Sequence, residues 1–300
     1  MYDHLRMTIG TKPAADVGVD ASLVQALLEE QHPDLAHLPP VKVAEGWDNV
    51  LFRLGDELAV RLPRRAASAT LIEHEQRWLP ELSARLPVPV PVPVRVGVPG
   101  PVFGWSWSVV RWLPGQSLLQ ARLADPAAAV PALERFLRAL HQPAPLDAPR
   151  NPWRGVPLEA RTAALHEHLR QLDGVVDRSA VLALWDRALS TPLWPGPPLW
   201  LHGDLHPGNL LVSDGRLSGV IDFGDLTAGD PATDVSVLWM LPRSIRSRFQ
   251  AWVGAEPDAL KMRARGWALA LGLAYLAHSR DDAAMTALGQ RTIGAALDEP

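Results

Sequence analysis

The chain of 300 residues contains no cysteine. Disulfides, thiolate nucleophiles and Cys-ligated metals are therefore excluded, and such a composition fits a cytosolic protein. Lysine is nearly missing as well: Lys12, Lys42 and Lys261 are the only three among 29 basic residues. Together with abundant Ala, Pro and Gly, this resembles the codon bias of a GC-rich genome, and it weakens any special reading of a single Arg. The formal net charge is −4 and no Lys/Arg block is present, which argues against a nucleic-acid partner. The start, Met1-Tyr2-Asp3-His4-Leu5-Arg6, has no apolar h-region and predicts no signal peptide. The longest apolar stretch, Trp267 to Ala277, is far shorter than the ~20 residues a bilayer requires. A soluble, cytoplasmic protein without a membrane partner is the expectation; oligomeric state leaves no trace in the sequence.

Hydrophobic residues make up 47% and charged residues 21%, which is ordinary for a chain with a sizeable core. No internal repeat is visible. Residues 20–32 carry Leu23, Leu27 and Leu28 at helical spacing. Strands are expected at Val41–Ala44, Val50–Leu54 and Leu58–Leu62, the last two joined by Gly55-Asp56. In the third, Leu58, Val60 and Leu62 share one face, which places Arg61 on the other. From Thr70 to Leu86 the period is helical, and Glu75 falls on the apolar stripe of Leu71, Trp78, Leu79 and Leu82, whereas Glu73 and Glu81 fall away from it. A carboxylate facing inward needs a partner, and Arg61 is the natural candidate. The alternation Pro87 to Val94 cannot be a central strand and reads as extended or edge structure. Residues 105–112 read as a strand, broken by Leu113-Pro114-Gly115-Gln116. The remainder predicts helices near 130–141, 158–172, 179–190, 231–240, 244–254 and 258–278, with short strands near 210–212 and 217–221.

Chemistry concentrates in Leu201-His202-Gly203-Asp204-Leu205-His206-Pro207-Gly208-Asn209, followed by Val220-Ile221-Asp222-Phe223-Gly224-Asp225. An Asp, an Asn five residues on and an Asp thirteen beyond that form the layout of a phosphoryl-transfer site. In such a site one carboxylate takes the proton of an attacking hydroxyl. An amide and a second carboxylate hold the Mg²⁺ that bridges the nucleotide phosphates. The protein-kinase catalytic loop has the same Asp-x-x-x-x-Asn spacing and a later Asp-Phe-Gly. Here His-Gly rather than His-Arg precedes the Asp. His-Gly-Asp-x-His-x-x-Asn with Ile-Asp-Phe-Gly resembles the aminoglycoside phosphotransferase family of kinase-fold small-molecule kinases.

The resemblance covers roughly residues 40–280 and implies an α+β, bilobal, protein-kinase-like fold. Residues 1–112 would form a β-rich nucleotide-binding lobe and 113–300 a mostly helical catalytic lobe, with the hinge at about 110–116. It implies Asp204 as catalytic base with His202 holding its loop, Asn209 and Asp222 as Mg²⁺ ligands, and ATP or GTP as co-substrate. Asn49, Arg61, Glu75, Val110 and Trp112 would line the nucleotide, and Asp225 and His206 the acceptor. Each residue also has a plainer reading: Asp204 as a turn residue, Asn209 as a turn residue after Gly208, Asp222 as a strand-end cap, Asn49 as the tip of a hairpin. His206 is equally open to a structural role. Asp230 reads as an N-cap before Pro231, and Asp234 as ordering the catalytic loop. A rival reading makes His202, Asp204 and His206 ligands of a catalytic Zn²⁺, but it leaves Asn209 and Asp222 without a purpose.

Arg61 departs from the family's commoner Lys. Some relatives with Arg here are macrolide kinases associated with GTP, so the purine stays open. Asp230 follows Asp222 by only eight positions, which leaves no room for a peptide-binding activation segment. A pseudokinase would lack a catalytic residue, and none of Asp204, Asn209 or Asp222 is missing. The acceptor expected is a small molecule, most readily an antibiotic such as an aminoglycoside. A macrolide, a sugar or an amino alcohol is the alternative. Polycations favour acidic clefts, yet residues 1–112 hold 11 basic against 13 acidic residues and 113–300 hold 18 against 20, so neither part is strongly acidic.

Overall fold

The computed structural model describes residues 14–121, 130–241, 243 and 257–298; the helix expected at 244–254 lies outside them. The chain divides into two compact units, one of Lys12–Gly115 with Ser218–Gly224, the other of Gln116–Leu217 with Asp225–Pro300.

The first unit is built on a five-stranded antiparallel sheet in the order β1-β2-β3-β5-β4. Its strands are β1 (Pro40–Glu45), β2 (Asn49–Leu54), β3 (Leu58–Pro63), β4 (Pro93–Gly97) and β5 (Trp107–Arg111). Alternation along β2 sends Val50, Phe52 and Leu54 inward, where they meet Val60, Leu62, Trp107 and Val109. Helix α1 (Ala21–Gln31) covers this cluster with Val24, Leu27 and Leu28, and Asp20 caps it by accepting from the Leu23 amide at 2.9 Å. The proline-rich stretch is extended as expected, and it joins the sheet only from Pro93, as an edge strand, where a missing N–H costs no central ladder bond. Helix α2 (Ala66–Ser83) starts four residues earlier than its apolar pattern and buries Ile72, Glu75, Trp78, Leu79 and Leu82.

The second unit is mostly helical. Helix Pro257–His278 is almost wholly apolar from Gly266 to Ala277 because that part is a core helix: Trp267, Ala268, Leu269, Leu273 and Ala277 are fully buried. Helix Ala283–Leu297 crosses it where Gly272 and Gly289 meet, and a Cβ on Gly289 would come 2.8 Å from the Gly272 carbonyl oxygen. Among the described residues no helix is long and apolar enough to cross a membrane. Two short strands, Leu199–Leu201 and Thr227–Gly229, pair antiparallel. Strand Leu210–Ser213 pairs with Gln116–Ser117 and turns at Ser213-Asp214-Gly215 into Arg216–Val220, which carries the chain back to the first unit. Residues 231–240 are one turn of α-helix, Ala232–Val235, continued as a 3₁₀ segment.

Candidate active site

In the sheet unit, the inward face of α2 meets the off-core face of β3. Arg61 Nη1 donates to both oxygens of Glu75 at 2.6 Å, and Nη2 donates to Asp222 Oδ1 at 2.6 Å. One guanidinium thus bridges two carboxylates. Burial pushes the Glu75 carboxyl up to about 7, with Arg61 opposing and Asp222 adding to the rise. With its amide oxygen facing the strand, Asn49 accepts from Arg61 Nη2 at 2.8 Å and Nε at 3.2 Å. Asp48 is held by Ser68 at 2.6 Å and by Arg65 at 2.5 Å, which ties the β1–β2 turn to the start of α2. Asp222 has φ +64°, a left-handed conformation uncommon for a side chain with a Cβ and often found at functional sites. Its side chain is 54% exposed, and among the described residues only Oδ1 has a donor. Val110 is buried in β5, and Trp112 stacks beneath the Arg53 guanidinium at 4.1 Å. The Trp112 amide is engaged by the Glu57 carbonyl at 2.7 Å, so it is not available to a purine.

In the helical unit, the loop after Leu199–Leu201 is fixed from below by Asp234. That fully buried carboxylate accepts from the His202 amide at 2.8 Å and the Gly203 amide at 2.9 Å, and its Oδ2 lies 3.1 Å from His141 Nε2. Gly203 has φ +86°, and a Cβ there would lie 2.2 Å from the Asp225 carbonyl oxygen. Only glycine fits, which gives the Gly of His-Gly-Asp a steric cause. The His202 ring accepts from the Asp204 amide at 3.3 Å and the His206 ring from the Gly208 amide at 3.0 Å. Asn209 Nδ2 donates to the Asp204 carbonyl at 2.9 Å, leaving Oδ1 without a donor among the described residues.

The Asp204 carboxylate meets Arg154 Nη2 at 3.3 Å, the Tyr275 hydroxyl at 3.3 Å and His206 Nε2 at 3.6 Å. Burial would raise its pKa, but the neighbouring His206, Arg154 and His202 and the tyrosine hydrogen bond together hold it below the usual carboxylate value. The carboxylate is ionised at neutral pH, as a proton acceptor must be. Burial raises the Tyr275 phenol, and Asp204 raises it further, so it stays a donor. Asp225 accepts from Asn151 Nδ2 at 2.6 Å and pairs with Arg154 Nε at 3.5 Å. Its carboxylate is thus already shared between an amide and a guanidinium of the same loop.

Arg154, Asn151 and Tyr275 were not expected from the sequence. Asn151-Pro152-Trp153-Arg154-Gly155 is a polar turn with an aromatic between two helices, the kind of loop that carries function. Tyr275 is the one phenol in the apolar run of the core helix, and a buried hydroxyl asks for a partner. Neither signal names its partner. Among the described residues no three His, Asp or Glu side chains are arranged to hold a metal. The His202 and His206 ring nitrogens that accept from backbone amides argue likewise against the His-Asp-His zinc reading.

Residues 41–276 match the model of the phosphotransferase enzyme family, and the chain belongs to that family. It is similar to an aminoglycoside 3'-phosphotransferase of Escherichia coli, 28% identical over 53% of this chain and 62% of that protein. It is also similar to the uncharacterized protein YcbJ of Bacillus subtilis (strain 168), 35% identical over 23% of this chain and 26% of that one. The matches thus span less than two thirds of either curated relative. Among solved structures, the GDP complex of aminoglycoside 2'-phosphotransferase-IIIa superposes with a TM-score of 0.73 at 21% identity, covering 93% of this chain and 99% of that one. The macrolide 2'-phosphotransferase MphH of Brachybacterium faecium gives 0.60 at 22% identity, covering 94% and 98%. At these identities the likeness speaks for the fold, the α+β kinase-like one with a β-sheet unit and a helical unit.

Proposed function

We propose that the protein transfers the γ-phosphoryl group of ATP or GTP to a hydroxyl of a small molecule. Asp204 acts as general base, His202 keeps its loop in place, and Asn209 and Asp222 supply oxygen ligands to Mg²⁺. The observation that carries this reading is the Asn209–Asp204 hydrogen bond, which leaves one amide oxygen open while fixing the loop that presents the ionised base. Both proposed ligands offer a hard oxygen without a protein donor among the described residues, Asn209 Oδ1 and Asp222 Oδ2, and Mg²⁺ takes few protein ligands of this kind. When bound, the ion would neutralise charge on the transferring phosphates. Arg61, oriented by Glu75, with Asn49 and the backbone near Val110 and Trp112 other than the engaged Trp112 amide, would hold the nucleotide. His206 and the Arg154-Asp225 pair would border the acceptor.

The similar proteins are named for aminoglycosides and macrolides, which makes these the first acceptors to assay, with sugars and amino alcohols as the alternative. The test is phosphoryl transfer from ATP and from GTP over such a panel, read by mass spectrometry with and without Mg²⁺. A phosphorylated product that requires Mg²⁺ and disappears in Asp204→Asn supports the reading. Nucleotide binding with no product across the panel would favour a pseudokinase.

A further inference from the structure

Arg161, the last residue of the 3₁₀ segment Leu158–Arg161, is 8% exposed, and among the described residues no carboxylate or carbonyl accepts from it. Its Nε is buried with no hydrogen-bond partner. Its guanidinium instead lies over the ring of Trp153 at 5.3 Å, and that indole is itself 53% exposed. The other buried arginines all have acceptors: Arg61 in Glu75 and Asp222, Arg64 in Glu45 and the Gly46 carbonyl, Arg263 in Asp230, Arg265 in the Ala296 carbonyl. Arg161 is the exception, and an unpaired buried cation is costly to keep.

Its surroundings do not offer relief. Arg154 repels it, Asp225 attracts it, and burial above all lowers its pKa to about 10, so it remains charged at neutral pH. Asp225, the acid it feels, is itself engaged: it pairs with Arg154 at 3.5 Å, and the same Arg154 meets Asp204 at 3.3 Å. His168, which also feels Arg161, is neutral at that pH and meets His278 at 3.0 Å. Two acids are therefore already paired to one guanidinium, while a second guanidinium nearby feels Asp225 but has no hydrogen-bonded acceptor among the described residues.

We infer that Arg161 receives an anionic group of the acceptor, so that the acceptor is a hydroxyl compound bearing a carboxylate or a phosphate rather than a polycation. This rests on the phosphotransferase reading of the same site. A planar guanidinium suits a bidentate contact with either anion, and the exposed indole beside it offers a face for the carbon skeleton. A polycation would instead have to displace Arg154 from both acids.

A matched set of probes separates the charges: glucose, glucuronate, glucose 6-phosphate and glucosamine, each titrated calorimetrically into the full chain with Mg²⁺ and a non-hydrolysable ATP analogue. At least one anion should bind about 10–100-fold more tightly than glucose, the worth of one charged hydrogen-bonded contact, and glucosamine no more tightly than glucose. Which anion it is distinguishes a carboxylate from a phosphate acceptor. Arg161→Gln should bring the anions to the level of glucose and leave glucose unchanged. Its Tm should stay the same or rise, because a charge without a partner has been removed, and Arg161→Lys should retain part of the preference. The inference is overturned if glucosamine binds most tightly, if the anion preference survives Arg161→Gln, or if none of the four binds. Failure of the phosphotransferase reading looks different: the anion preference would persist and depend on Arg161, while no acceptor gained a phosphoryl group.

Discussion

At the scale of single residues, the proposed chemistry turns on one carboxylate kept ionised in a largely buried site. Asp204→Asn preserves shape and removes the proton acceptor. Positioned general bases contribute about 10²–10⁴-fold, so kcat should fall by that much while nucleotide affinity, measured by titration, stays near wild type. A near-normal kcat would mean that the proton leaves late or to water. Arg154 sharpens the point, because it is among the groups that hold the Asp204 pKa down. Arg154→Met removes that attraction, the carboxyl pKa rises, and the acid limb of the kcat/KM profile moves to higher pH. A limb that stays in place would mean that His206 and His202 set the ionisation by themselves. Arg154 was not legible in the sequence for a physical reason. The loop that carries it is fifty residues away from Asp204, and nothing in an isolated Asn-Pro-Trp-Arg-Gly turn says which acid it will meet.

At the scale of elements, periodicity foretold much of the framework. Glu75 on the apolar stripe of α2 and Arg61 on the off-core face of β3 are two residues whose phases alone require them to meet, and they do, at 2.6 Å. Asp234, expected to order the catalytic loop, accepts from two of its amides. Asp230 does cap the following turn, accepting from the Ala232 amide at 3.0 Å, but its buried partner Arg263 had no signature in sequence. Helix Ala283–Leu297 escaped the pattern reading because it is nearly apolar, with glycines where it crosses its neighbour. Asp234→Ala would leave two buried amides without acceptors, at about 1–3 kcal/mol each; a chemical denaturation midpoint should fall, and kcat with it. The His168–His278 contact gives a second expectation. Burial, then His278 and Arg161, lower the His168 pKa to about 4 from 6.5. The unfolded chain therefore binds a proton between pH 6.5 and 4 that the folded one refuses, so this stability is present above pH 6.5 and is lost as pH falls toward 4. At about 1.4 kcal/mol per unit, roughly 3–4 kcal/mol is at stake. A His168→Gln variant should show a flatter Tm against pH over that range, and a slope equal to wild type would assign the acid sensitivity elsewhere.

At the scale of the whole molecule, the division of labour between a β-rich first part and a helical remainder was visible in composition and period, and residues 41–276 match the family model accordingly. The motif proposed to be catalytic was legible because its members are close in sequence and each is held by local geometry: a glycine forced by the Asp225 carbonyl, an amide tied to Asp204, a left-handed Asp222. The proposed acceptor site was not, since it would be assembled from residues 151–161, 204–206, 225 and 275, which are far apart in sequence. What most directly tests the proposed phosphoryl transfer is the affinity of ATP and of GTP, titrated with Mg²⁺ and again with a chelator, in wild type and in Asp222→Ala. The expected result is that Mg²⁺ tightens binding in wild type and that Asp222→Ala loses this gain while keeping the fold and the metal-free affinity. Equal loss of the metal-bound and metal-free nucleotide would contradict it, and would make Asp222 a structural partner of Arg61 instead of a ligand.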